Sequence, residues 1–353
     1  MPPTMEDVAR QAGVSKSTVS LVLNDKPGVS PELKQAVRRA AEELGYRLSR
    51  ARSAQWENEP RTLAVVHAQP EPNSPHEVEP TGLYLNYLNG VQAFARKAGL
   101  NLTLIADYRE GDPQQLAFHL LQEASFDGFI LMGWSARQEN PLVHQLIERQ
   151  TPAVALSRFW PDLPISTVGP NYHQQVSLAV NHLLHLGHRQ IAFVARDDDQ
   201  RLEWYRWRLR SYQELIAAAN GAADEALIAL GVTTAEAVRG LLARRSDVTA
   251  IFAGHDGIAL EVLAALQALG LRVPQDISVV GQDGDHHQPE PTLTTVGFSH
   301  FDVGYLAAEL VQQQIEKEAS FYGHLWVQSY LVERGSCAAP RQEPLPLERL
   351  PLR

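Results

Sequence analysis

Short polar side chains crowd one segment near the N-terminus, which contains Ser15, Lys16, Ser17, Thr18 and Ser20. Ser and Thr are mediocre helix formers because their hydroxyls compete for backbone hydrogen bonds. The same hydroxyls, placed near the positive end of a helix, can approach phosphates and base edges closely. The segment therefore favours a helix that contacts a polyanion. A solvated helix in a small bundle is the alternative.

Polar and aromatic side chains also follow apolar segments that have the pattern of buried strands. In open α/β sheets, ligands bind beyond the carboxyl ends of the strands. Arg and Asp can hold adjacent sugar hydroxyls bidentately, and aromatic rings stack on the apolar faces of sugars. The residues at these strand ends are Trp134, Ser157, Arg158, Phe159, His255, Asp256 and Asp283. They are candidate ligand contacts.

Trp204 and Arg208 form a further pair of candidates because they are four residues apart, on one face of a predicted helix. A sugar contact is one interpretation of this pair. Aromatic packing at the surface of a lobe is the alternative for Trp204.

Three short helices would hold the hydroxyl-rich segment. A capping pattern begins the first helix at Thr4, and Gly13 ends it. The second helix runs from Ser15 through Asn24, and the third begins at Ser30, which is followed by proline. A helix, a glycine turn and a second helix form the helix-turn-helix pattern, and the third helix completes a small core.

From Leu63 onward, short apolar segments alternate with amphipathic segments. This alternation predicts parallel sheets with helices on both faces, and there are enough strands for two similar lobes. The predicted strands are 63–66, 100–106, 128–132, 152–156, 190–195, 250–254 and 277–281, and the predicted helices include 85–98, 174–186, 258–269 and 303–317.

Charge is unevenly distributed along the 353 residues, whose net charge is −10. Residues 1–55 carry nine basic and six acidic side chains, a net +3, which leaves −13 for the rest. This asymmetry suits a polyanion contact at one end only.

The sequence carries few markers of other classes. The single cysteine, with no pattern of a signal peptide or a membrane span, predicts a cytoplasmic protein. No dinucleotide or P-loop glycine motif and no metal-type spacing is found, so we expect no cofactor and no metal.

The segment from Thr4 to Arg47, TMEDVARQAGVSKSTVSLVLNDKPGVSPELKQAVRRAAEELGYR, resembles the headpiece of the lactose-repressor (LacI-type) family of bacterial transcription regulators. HLLHLGHRQIAFVA, VTAIFAGHDGIALEVLAALQALGLRVPQDISVVGQD and PTLTTVGFS resemble the effector-binding core of the same family. The resemblance implies an N-terminal all-α helix-turn-helix headpiece and an α/β, periplasmic-binding-protein-like core of two doubly wound parallel-sheet lobes. A small ligand would bind in the cleft between the lobes.

The resemblance also implies the domain limits. We expect a DNA-binding headpiece at 1–47, a hinge or linker at 48–62, an effector-binding core at 63–337 and a proline-rich tail at 338–353. Within the core, lobe 1 would comprise about 63–185 and 298–322, and lobe 2 about 186–297 and 323–337. The tail has no sustained heptad, so a homodimer is expected, with paired headpieces on a two-fold operator.

By resemblance, Lys16, Ser17 and Leu21 fall at the base-reading positions of the second helix. Many members carry arginine where this chain has Leu21. A bidentate arginine–guanine pair contributes about 1–3 kcal/mol of discrimination, so the operator should differ at that base. The positions that contact the DNA backbone are Thr4, Ser15, Thr18, Ser20, Asn24 and Ser30, and the basic linker adds Arg50.

Gln55 stands where the family carries a leucine that wedges into the minor groove. Glutamine can hydrogen-bond there but is a poor apolar wedge. A folded hinge helix and a flexible linker therefore both stay open.

In the core, Arg208 and Asp283 match the ligand-gripping pair of the family, and Tyr84 matches an aromatic position near the first core helix. His255 stands where Asn is common, and Ser157 where Asp is common. These departures keep the general site and leave the identity of the ligand open.

The leading hypothesis is a non-enzymatic repressor of carbohydrate-utilisation genes. Its affinity for double-stranded operator DNA would be controlled by a small molecule, most simply a sugar or sugar derivative, in the core cleft. A purine or nucleoside effector is the first alternative. A sugar-binding transport component and a carbohydrate-active enzyme are the others, but the headpiece and the lack of a distinguishable catalytic carboxylate pair argue against them.

Overall fold

The structure, a computed structural model, describes residues 4–23, 29–44, 61–67, 81–105, 121, 126–284, 292–316 and 322–345. The chain forms two compact units, Met1–Pro60 and Arg61–Arg353. Three candidate residues, Asn24, Arg50 and Gln55, lie outside the described residues, as does the side chain of Trp134. Most of the predicted linker and the end of the predicted tail lie outside them too.

The first unit contains the three predicted helices, α1 (Met5–Ala12), α2 (Lys16–Leu23) and α3 (Pro31–Glu43). Thr4 begins α1 with a reciprocal capping box, and Gly13 ends it in the left-handed conformation, with φ +65°. One apolar core joins the helices, and its buried members are Val8, Ala9, Val19, Val22, Val37, Ala40 and Ala41. The helix-turn-helix prediction is confirmed.

The second unit alternates strands and helices. In chain order they are β1 (Thr62–Val66), α4 (Thr81–Ala98), β2 (Asn101–Ile105), β3 (Gly128–Leu131), α5 (Pro141–Glu148), β4 (Ala153–Leu156), β5 (Ser166–Pro170), α6 (Tyr172–His185), β6 (Ile191–Val194), α7 (Glu203–Asn220), β7 (Ile228–Ala229), α8 (Thr234–Arg244), β8 (Ala250–Ala253), α9 (Asp256–Ala268), β9 (Ser278–Asp283), β10 (Thr294–Phe298), α10 (His300–Glu316), β11 (His324–Val327) and β12 (Ser329–Val332).

These strands form two six-stranded sheets, each the centre of one lobe. The first has the order β11-β5-β4-β3-β1-β2 and is entirely parallel. The second has the order β12-β10-β9-β8-β6-β7, and within it only β12 runs antiparallel to its neighbour. Apolar side chains fill both faces, as expected for parallel sheets. The predicted fold class is confirmed, although β2 is an edge strand with mostly exposed side chains.

The chain passes between the lobes at three places, after β5, after β10 and after β11. Two of the expected limits differ from this arrangement. Residues 172–185 were expected in lobe 1, but α6 packs in the core of the second lobe through Val176, Ala179 and Leu183. Strand β11 was expected in lobe 2, but it pairs with β5 in the first sheet. Strand pairing places β11 and apolar packing places α6, and neither follows from chain order.

Helices α4 and α10 pack closely within the first lobe at two glycines. A Cβ on Gly90 would collide with the backbone oxygen of Phe301, and a Cβ on Gly304 would collide with that of Tyr87. The backbones therefore touch at both positions, and only glycine fits this crossing.

Candidate functional site

The exposed start of α2 carries a hydroxyl cluster. The Ser15 hydroxyl accepts the Thr18 backbone N–H at 3.1 Å and thereby caps the helix. It also hydrogen-bonds to the hydroxyls of Ser17 at 2.7 Å and Thr18 at 2.8 Å. Two of these side chains are exposed and the Thr18 side chain is half-buried, so the cluster leaves polar groups on the surface at the positive end of α2.

Lys16 and Leu21 are also exposed on α2, whereas Val19 and Val22 face the core. The Lys16 ammonium lies 3.4 Å from the Glu6 carboxylate, and both side chains are more than half exposed. This pair contributes little because it is solvated, so Lys16 is available to another anion. Leu21 is 39% exposed, so its side chain is accessible on the surface of α2.

The remaining described headpiece candidates sit at helix ends or at the edge of the core. Thr4 is exposed and caps α1, and Ser30 is exposed and accepts the Leu33 N–H at 3.4 Å at the start of α3. Ser20 is half-buried on α2. The structure thus places Lys16, Ser17, Thr18 and Leu21 on α2 and Ser15 at its cap, with Thr4 and Ser30 at the starts of the flanking helices.

In the second lobe, Arg208 of α7 is the centre of a buried polar cluster. Its guanidinium donates to the Gly254 carbonyl at 2.6 Å and to the Gln175 side-chain oxygen at 3.2 Å. It also forms an ion pair with Asp283, at the end of β9. Arg208 is 3% exposed and Asp283 26% exposed. Burial by itself raises the pKa of Asp283, but the charge and hydrogen bond of Arg208 outweigh it and hold that pKa below its ordinary value.

Aromatic rings surround this ion pair. The Arg208 guanidinium lies over the ring of Trp204, 5.2 Å from its centroid, and over that of Tyr172 at 5.5 Å. The Trp204 ring meets His255 edge-on at 5.3 Å. Trp204 and Arg208 both lie on α7, and their side chains are in contact on one face of it, as the sequence predicts.

His255 is held in one tautomer. Its Nδ1 accepts the Ile258 backbone N–H at 3.3 Å and caps α9, so in the neutral ring the proton is on Nε2. Burial lowers the pKa of His255 to about 4. Near neutral pH this side chain is therefore an uncharged hydrogen-bond donor.

The stability of the protein should depend on pH through His255. Between pH 6.5 and about 4 the unfolded chain holds a proton on this residue that the folded chain does not, so the free energy of unfolding falls as the pH falls. Between pH 7 and 4 the unsubstituted protein should lose up to about 3 kcal/mol more than His255→Asn. Urea denaturation at several pH values measures this difference, and parallel curves for the two proteins would contradict it.

In the first lobe, Ser157 at the end of β4 faces a row of rings. The hydroxyls of Ser157 and Tyr87 are 2.6 Å apart. Tyr84 lies 6.5 Å from Tyr87 and 4.1 Å from His67, measured between ring centroids. Burial lowers the pKa of His67, so this ring also favours the neutral form. The expected aromatic position, Tyr84, is thus one member of a larger polar and aromatic wall.

Tyr172 joins the two groups. Its hydroxyl donates to the Ser157 carbonyl at 2.9 Å, and its ring lies beside the Arg208 guanidinium. Since Tyr172 follows the first crossing between the lobes, this contact brings both sets of side chains to one place. We call this place the cleft, and its described members are His67, Tyr84, Tyr87, Ser157, Tyr172, Gln175, Trp204, Arg208, His255 and Asp283.

Two cleft residues have an uncommon backbone conformation. Ser157 has φ +52° and Asp283 has φ +97°, although neither is glycine. Residues with positive φ cost free energy and cluster at functional sites, where the surrounding structure enforces them. This independent observation supports the two strand ends that the sequence singled out.

Two candidates occupy other places. Asp256 is 3% exposed and accepts the Thr295 hydroxyl at 2.6 Å, so it ties α9 to β10 inside the second lobe. Phe159 lies beside the cleft, where its ring contacts Trp207 and Trp326. Its neighbour Arg158 donates to the carbonyls of the β3 and β4 loops.

Other chemistry has little support among the residues that the structure describes. Within them, no group of three or more His, Cys, Asp or Glu side chains is arranged to hold a metal ion. In the same part of the chain, no helix has the length and apolar character needed to cross a membrane.

A helix-turn-helix unit that precedes a two-lobed α/β unit with a polar cleft defines a ligand-responsive DNA-binding transcription regulator. Residues 4–49 match the model of bacterial regulatory proteins of the lacI family, and residues 180–337 match a periplasmic binding protein-like domain. The transcriptional regulator CelR of Thermobifida fusca is 33% identical over 95% of this chain and 98% of its own length. The chain belongs to the lacI family of bacterial regulatory proteins.

Further comparisons are consistent with this family assignment. The transcriptional repressor CytR of Escherichia coli K12 is 30% identical over 95% of this chain and 96% of its own length. A solved complex of CelR with cellobiose is 32% identical, covers 95% of this chain and 99% of that chain, and has a TM-score of 0.67. A lac repressor dimer bound to operator, 23% identical with a TM-score of 0.65, covers 96% of this chain and 100% of its own, and shares the fold.

Proposed function

We propose that this protein is a repressor of carbohydrate-utilisation genes and that an uncharged sugar in the cleft controls its affinity for operator DNA. The observation that carries the proposal is the buried Arg208–Asp283 pair set between aromatic rings. A guanidinium and a carboxylate side by side can hold adjacent hydroxyls, while the rings cover the apolar faces of the sugar. The relative solved with cellobiose supports the same class of ligand.

The charge balance of the cleft argues for a neutral ligand. Arg208 and Asp283 neutralise each other, and burial favours the uncharged forms of His67 and His255. A phosphorylated or carboxylated sugar would bring a net charge without a described counter-charge in the cleft, at a cost in desolvation. Neutral mono- or disaccharides should therefore bind more tightly than sugar phosphates.

The headpiece supports the proposed DNA contact. The hydroxyl cluster, Lys16 and Leu21 would enter the major groove on α2, with Thr4 and Ser30 against the phosphates. As in the relative solved as a dimer on its operator, two copies of this chain would bind a two-fold DNA site. We expect such a regulator to act in the cytoplasm, without catalysing a reaction.

Ligand binding would act by favouring one arrangement of the lobes. Because the cleft has walls from both lobes, a sugar that contacts both stabilises the arrangement in which the walls face each other. The affinity for operator changes only if the two arrangements differ in how they position the headpieces.

A calorimetric and thermal-shift panel tests the ligand class. It contains cellobiose, glucose, glucose 6-phosphate and adenosine, each titrated into the full-length protein. We expect a neutral sugar to bind and raise Tm, and the phosphorylated sugar to bind at least about tenfold more weakly. Preferential binding of adenosine would support the nucleoside alternative, and preference for the phosphorylated sugar would refute the neutral-cleft argument.

A further inference from the structure

One carboxylate on α7 hydrogen-bonds across the boundary between the lobes. Glu203 Oε1 accepts the backbone N–H of Phe159 at 2.9 Å, and Oε2 accepts the indole N–H of Trp160 at 2.8 Å. Helix α7 belongs to the second lobe, where Tyr212 and Ile216 are buried in the core. Both oxygens of one side chain are thus committed to the other lobe.

The receiving segment is fixed firmly in the first lobe. Trp160 is 4% exposed and packs in the core on one face of the first sheet. A buried indole N–H requires an acceptor, and Glu203 supplies it. Arg158 donates to the carbonyls of Ala136 at 2.6 Å and Gly133 at 3.0 Å, so the loops after β3 and β4 form one connected unit.

Aromatic packing and charge reinforce the contact. The ring of Trp207, one turn after Glu203, meets that of Phe159 at 5.6 Å between centroids. Burial raises the pKa of Glu203, and the nearby positive charge of Arg158 partly offsets this effect. A half-buried carboxylate with two N–H donors is stabilised by charge-assisted hydrogen bonds, which are stronger than neutral ones.

This contact is directly connected to the cleft on both sides. Glu203 precedes Trp204 in the sequence, and Phe159 follows the cleft residue Ser157 by two positions. The lobes cannot separate along this wall of the cleft while both hydrogen bonds remain. None of the strand-end or helix-face patterns in the sequence pointed to Glu203.

We propose that Glu203 is a positioning residue that latches the two lobes together. Its hydrogen bonds to Phe159 and Trp160 hold the arrangement in which the cleft walls face each other, and separation of the lobes breaks them. The inference concerns the lobes alone, so it holds whether the ligand is a sugar or a nucleoside.

The test measures the distance between the lobes in the full-length protein without ligand or DNA. Spin labels are placed at Glu148→Cys in the first lobe and Arg239→Cys in the second, both exposed positions, in a Cys337→Ser background. Hydrogen bonds to a charged group contribute enough to change an equilibrium about tenfold or more. We therefore expect Glu203→Ala to increase the population of separated lobes at least about tenfold.

Two further variants make the result specific. Glu214→Ala removes an exposed carboxylate from the same helix, where it pairs with Arg210, and should leave the distances unchanged. Trp160→Phe keeps an aromatic ring but deletes one donor, so it should shift the population less than Glu203→Ala, and the double variant should add nothing further. If Glu203→Ala does not fold, Trp160→Phe alone provides the test. The proposal would be overturned if folded Glu203→Ala and Trp160→Phe gave the same distance distribution as the unsubstituted protein.

Discussion

Replacement of Arg208 by alanine is expected to abolish the response to effector while operator binding persists. The substitution removes hydrogen bonds to Gly254, Gln175 and Asp283 and leaves the Asp283 carboxylate without its counter-charge. Breaking a buried ion pair in this way typically costs about 3–5 kcal/mol of stability. Effector affinity should fall at least about 100-fold, since the proposed hydroxyl contacts disappear with the guanidinium.

Operator-shift titrations with and without sugar measure this effect. Arg210→Ala is the matched control because it removes an arginine from the same helix, where the side chain is 70% exposed and pairs with Glu214. Arg208→Lys separates charge from geometry, since lysine keeps the charge but cannot reach all three partners in a fork. A normal sugar response from folded Arg208→Ala would show that the cleft assignment is incorrect.

Replacement of Lys16 by alanine should weaken operator binding about 10- to 100-fold with little change in folding. The side chain is exposed on α2 and pairs with the exposed Glu6, so its loss disturbs no core contact. One base or phosphate contact contributes about 1–3 kcal/mol to a protein–DNA complex. Binding isotherms at two salt concentrations measure the loss. Arg210→Ala controls for the change in net charge, and an unchanged isotherm for Lys16→Ala would contradict the assignment of Lys16 as a DNA contact.

Leu21 offers a gain-of-specificity test of the same assignment. Leu21→Arg places a guanidinium at an exposed position of α2, where it can pair with a guanine. Selection from a random DNA library should therefore enrich guanine at one position of each half-site for the variant and not for the unsubstituted protein. Identical selected sequences would contradict the base-reading role of this position.

Much of the fold follows from local patterns in the sequence. Capping residues and apolar periodicity define the headpiece, and apolar runs define the central strands β1, β3, β4, β6 and β8, which are buried on both faces. Strand β5 has the sequence STVGP. Its glycine and proline are uncommon inside a sheet, so the sequence did not predict a strand there, although β5 lies between β11 and β4. Edge strands β11 and β12 are short and expose Trp326 and Tyr330, so they lack the burial on both faces that marks the central strands.

The sequence likewise predicted some residues of the candidate site and missed others. The strand-end rule found Ser157, His255 and Asp283, because the carboxyl ends of parallel strands meet at one edge of a sheet. It also selected Asp256, but that residue is the first of α9 and its side chain turns back towards Thr295. Tyr87, Tyr172 and Gln175 were missed because they follow no strand end and belong to no polar–aromatic pair on one helix face, and only tertiary packing brings them to the cleft.

The glycine crossing of α4 and α10 has a consequence for motion. Two helices whose backbones touch at Gly90 and Gly304 cannot slide past one another without steric overlap, so α4 and α10 should move together as one rigid unit. Amide exchange at the glycine crossing should then be slow with and without ligand, whereas ligand-dependent exchange is expected at the cleft residues and in the three segments that connect the lobes.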